Sequence, residues 1–90
     1  MKINEKILCN VKAKLTEIIE KNEGITQRAW DIVSYLGTID SFEQNNQLSE
    51  IFDIASDLER DNFADSDKQQ QQQMWNRVVY LVKLLRYKKY

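Results

Sequence analysis

The chain contains no proline, and its two glycines, Gly24 and Gly37, are the only strong backbone breaks in 90 residues. Without proline, every backbone N–H can join a continuous helical ladder. Between the breaks the apolar residues return at steps of three and four, the spacing that lines one face of a helix at about 100° per residue. Before Gly24 these are Ile3, Ile7, Leu8, Val11, Leu15, Ile18 and Ile19, which predicts a first helix over residues 3–22 with Gly24 as its C-cap. Thr26 is the expected N-cap of a short second helix. In that helix Ala29, Val33 and Leu36 face inward, Trp30 and Ile32 lie at the margins, and Gly37 is the stop.

Asp40 with Glu43 reads as a capping box, and Leu48, Ile51, Phe52, Ala55 and Leu58 then line one face. A third helix is expected from residue 41 or 46 to residue 60, with the Asn45–Asn46 pair as the weak point near its start. Ser66 with Gln69 is a second capping box. It opens a fourth helix over residues 67–87, in which Met74, Val78, Leu81, Val82 and Leu85 face inward and the glutamine run at 69–73 is solvated. The expected fold is all-α: one domain over residues 1–90, a small antiparallel four-helix bundle with a short second helix. Leu15, Val33, Ile51, Val78 and Leu85 are the expected core.

The chemistry available to such a bundle is narrow. There is no histidine and one cysteine, Cys9, which excludes an ordinary zinc site and an internal disulfide. Cys9 falls about 150° from the centre of the apolar stripe, on the solvated face and without a neighbouring base, so it is a poor nucleophile. No glycine-rich loop precedes a helix to cradle phosphate. The alternating acids Asp57, Glu59, Asp61, Asp65 and Asp67 imitate a calcium loop, but the position that needs glycine is Asn62 and the position that needs a bidentate glutamate is Lys68. We therefore expect no enzymatic activity, no cofactor and no metal. No apolar run approaches the roughly 20 residues of a membrane span, and the start lacks the apolar core of a secretory signal, so a cytoplasmic protein is expected.

Charge is distributed far less evenly than the overall −1 suggests. Residues 31–67 carry ten carboxylates against Arg60 alone, a net −9, whereas residues 68–90 carry six bases and no acid. On a helix through this region Glu43, Glu50, Asp53, Asp57 and Asp61 fall within an arc of about 80°, pointing away from the apolar stripe. Like charges four residues apart repel, and acids near a helix C-terminus oppose its dipole. A segment selected for stability alone would interleave lysines here. The ridge, with Asp65 beyond it, and with Ile54 at its edge and Phe63 after it as apolar anchors, is the expected surface for a basic partner.

In size, helical content and acidic surface the chain resembles the small bacterial immunity proteins that neutralise nuclease toxins of the colicin or contact-dependent-inhibition type. That resemblance implies a non-catalytic inhibitor of a toxin domain, whose phosphate-binding cleft an acidic ridge could fill. Two alternatives stay open: a phage or mobile-element regulator that binds a host nucleic-acid-binding protein, and a helical dimer that binds nucleic acid through the fourth helix. For the last, Arg77, Tyr80, Leu84 and Tyr87 share a face that could stack on nucleotides, although burial against a neighbouring helix or a homodimer seam is favoured. Lys83, Arg86, Lys88 and Lys89 sit where bases favour the helix dipole, so they call for no nucleic acid.

Overall fold

The computed structural model describes residues 5–39, 42–60 and 68–85. Ile3, the caps expected at Asp40 and Ser66, the residues Asp61, Phe63, Asp65 and Asp67, and the tail from Arg86 lie outside the described residues. Among the described residues there are four helices, α1 (Glu5–Ile19), α2 (Ile25–Leu36), α3 (Asn46–Glu59) and α4 (Lys68–Leu84), and a 3-10 turn at Phe42–Gln44 before α3. No strand occurs among the described residues, of which 85% are helical. The fold is the all-α, antiparallel four-helix bundle expected, and α2 is its shortest helix.

Each helix packs against the next, and α4 closes the ring onto α1. Among the described residues, all sixteen buried ones are hydrophobic and form one cluster. Every helix contributes: Leu8, Val11, Leu15 and Ile18 from α1, Ala29, Ile32 and Leu36 from α2, Leu48, Ile51, Ala55 and Leu58 from α3, and Trp75, Val78, Leu81 and Val82 from α4. Leu85, just past α4, is also fully buried.

The second helix departs from expectation in phase and in its start. Ile32 is fully buried, while Val33 is half-buried against the edge of the core. The two are adjacent in sequence and about 100° apart, so a modest roll of α2 about its axis exchanges their depths. The N-cap is Gly24, in an extended conformation and without a side-chain cap, and Thr26 lies inside the first turn. Gly24 therefore starts α2 rather than ending α1, which stops at Ile19. The earlier stop coincides with Arg28, whose Nη1 donates to the Ile19 carbonyl at 3.0 Å and so satisfies one of the acceptors that a helix end leaves open. Gly37 does cap α2, with its N–H donating to the Val33 carbonyl at 3.0 Å.

Candidate functional site

The surface of α3 is set by where that helix begins. Asn45 is in an extended conformation, and its side-chain oxygen accepts from the N–H groups of Gln47 and Leu48, both at 3.0 Å. Those two donors would otherwise be orphaned in the first turn, so the residue read as a weak point is the cap that fixes the helix start. The Phe42 ring packs on the Phe52 ring, centroids 4.7 Å apart, and holds the 3-10 turn against α3.

This start changes the ridge. Glu43 belongs to the 3-10 turn and not to α3, so it does not share the helical arc expected for it, although its side chain is exposed. On α3 proper the ridge comprises Glu50, Asp53 and Asp57, and the helix contains no base. Asp53 is exposed and makes no ion pair or hydrogen bond among the described residues. Asp57 lies 3.9 Å from Arg60, both well exposed, a pair of little energetic weight. Ile54 is half-buried and packs on the core, so it offers a partner only part of its side chain. Asp61, Phe63 and Asp65 lie outside the described residues.

Glu50 is differently placed. Arg77 of α4 donates from Nε to Glu50 Oε2 at 2.9 Å, with both side chains about half-exposed. The hydrogen bond to Glu50, and then its charge, push the Arg77 pKa above the ordinary guanidinium value against a smaller desolvation effect. The same guanidinium lies 5.5 Å from the centroid of the Tyr80 ring. Sequence reasoning put Glu50 on the acidic ridge and Arg77 and Tyr80 on a separate face of the fourth helix. The structure joins the two faces along the α3–α4 seam. No local signal could have shown this, because the partners are 27 residues apart and meet only through the register of two antiparallel helices.

Tyr80 is 52% exposed and Leu84 is 36% exposed, so neighbouring helices do not bury this face of α4. Trp30 on α2 is the most exposed large apolar side chain among the described residues, at 54%. Trp75, by contrast, is buried beneath Arg28, a placement that its spacing from Val78, Val82 and Leu85 would have indicated. Cys9 is exposed. Between α1 and α4 runs an open groove lined by Lys12, Thr16, Ile19, Glu20, Val79 and Lys83. Among the described residues no group of three or more acids, cysteines or histidines is placed to hold a metal ion, and no helix is long and apolar enough to cross a membrane.

No family model, no curated protein and no solved structure matches the chain.

Proposed function

We propose that the chain is a non-catalytic binding protein that inhibits a basic partner, an immunity-type protein that neutralises a bacterial toxin domain of nuclease character in the cytoplasm. The observation that carries this reading is α3 itself: a helix with four acids and no base, and with Asp53 exposed and unpaired among the described residues. The chain has thirteen lysines and arginines, so the lack of a base on this helix is not a shortage of bases. Such a ridge raises the local concentration of a cationic partner and accelerates its approach, whereas apolar contacts set how long the complex lasts.

Nuclease clefts suit this surface because they must be basic to hold phosphates, and a helix with carboxylates one turn apart offers a rigid array of anionic oxygens. The test is kinetic. A partner is purified with the chain from source cells and identified, and its association with the wild type is followed as a function of salt. Reversing Asp53 and Asp57 to lysine should slow association and flatten the salt dependence. An unchanged rate and slope would reduce the ridge to a solvated helix face and end the reading.

A further inference from the structure

The Glu50 carboxylate and the Tyr80 ring together hold one guanidinium, that of Arg77. We propose that these two side chains form an arginine-reading point on the partner-binding surface, occupied in the free protein by Arg77, and that an arginine of the basic partner displaces Arg77 from it. The inference rests on the reading of α3 as the face that meets a basic protein.

The recognition chemistry is already present in cis. A guanidinium is planar, so one edge can donate to a carboxylate while its face lies over an aromatic ring. The ammonium of lysine is a compact, strongly hydrated charge and lacks that geometry. The 5.5 Å separation of Arg77 from Tyr80 lies within the range in which a cation is attracted by the ring. Arg77 uses Nε alone: no other acceptor for its guanidinium is present among the described residues. A pair joined through one donor and half-exposed on both sides is weak, so a competitor meets little resistance.

Position favours exchange as well. Glu50 lies one turn from Asp53 and two from Asp57, so a cationic segment drawn to the ridge reaches the Arg77 point without leaving α3. Tyr80 and Leu84 supply exposed apolar surface directly beside it. Tyrosine in such a setting is a common energetic anchor of interfaces, and arginine is its common counterpart across them. The half-buried Ile54 cannot serve as fully in that role.

Nona-arginine and nona-lysine peptides, titrated calorimetrically into the full chain at low ionic strength, separate arginine reading from simple charge. Nona-arginine should bind several-fold more tightly, and the Nε–Hε resonance of Arg77 should move on saturation as Glu50 is lost to it. Arg77→Gln should raise nona-arginine affinity by roughly twofold to fivefold, and nona-lysine affinity by less. Tyr80→Leu keeps the apolar bulk at an exposed position and should bring the two peptides to equal affinity. An arginine preference that survives Tyr80→Leu, an unmoved Arg77 resonance, or no gain from Arg77→Gln overturns the inference. Failure of the ridge reading looks different: reversing Asp53 and Asp57 would then leave the affinity for both peptides unchanged.

Discussion

The guanidinium of Arg28, on α2, lies 4.7 Å from the centroid of the Trp75 ring on α4. Because Nη1 also donates to the Ile19 carbonyl, one side chain ties the end of α1, the start of α2 and the body of α4 together. Its Nε is buried with no hydrogen-bond partner among the described residues, so the arrangement carries a desolvation cost beside its gains. Arg28→Ala should lower stability by about 1–3 kcal/mol in urea denaturation, from the lost carbonyl bond and ring contact. Arg28→Met should cost less, because it keeps an unbranched apolar side chain of similar length and removes the unsatisfied Nε.

Ile32 and Val33 offer a test of how α2 is rolled. Ile32 is fully buried, so Ile32→Ala should cost about 2–5 kcal/mol, whereas the half-buried Val33 should cost clearly less when cut to alanine. Leu85→Ala belongs in the same range as Ile32→Ala, since Leu85 is fully buried beyond the last turn of α4. Chemical denaturation of the three variants checks the order.

Asn45→Ala removes the acceptor of two N–H groups and should destabilise the protein by about 0.5–2 kcal/mol. Asn45→Asp retains the cap and adds a favourable charge at the helix start, so it should be neutral or stabilising. Thermal unfolding of both, followed by circular dichroism, distinguishes a cap from a merely polar surface residue.

Reversing Asp53 and Asp57 to lysine should leave the melting temperature unchanged or slightly higher, because it relieves repulsion between acids four residues apart and the opposition of Asp57 to the helix dipole. A clear loss of stability would mean that the ridge supports the fold. The comparison is made at low salt, where surface charge has its largest effect.

Burial pushes the Tyr35 hydroxyl pKa above the ordinary tyrosine value. The folded state therefore holds the neutral phenol while the unfolded chain ionises first. Its contribution to stability is complete below about pH 10 and declines as pH rises through the folded pKa. Tyr35→Phe should shallow that decline as pH rises past about 10 without altering stability at pH 7. Unfolding curves across the range provide the check.

The helices were legible because spacing encodes a buried stripe, and α1, α3 and α4 bury most of the residues so placed, but Ile7 of the α1 stripe is 39% exposed and Trp75 is buried where Met74 was expected. What escaped was decided by contacts between elements. Ile32 and Val33 are adjacent apolar residues, and only the positions of α1 and α3 select the deeper one. Thr26 and Gly24 compete as caps, and the end of α1 at Ile19 is met by a bond from an arginine nine residues later. Within the candidate site, the exposure of Asp53 and Asp57 could be read from the helical arc. Glu43 could not, because the cap at Asn45 takes it out of the helix. The Glu50–Arg77 bond required knowledge of how α3 and α4 are aligned.

The ring order of the bundle bears on how quickly it forms. Three of its four seams join helices consecutive in the chain, so their formation closes only short loops, a topology associated with folding in microseconds to milliseconds. The α1–α4 seam alone must wait for the two ends of the chain to meet, at the highest entropic cost. Substitutions at Val79, which lines that seam, should then mainly accelerate unfolding, while those between α2 and α3 should slow folding.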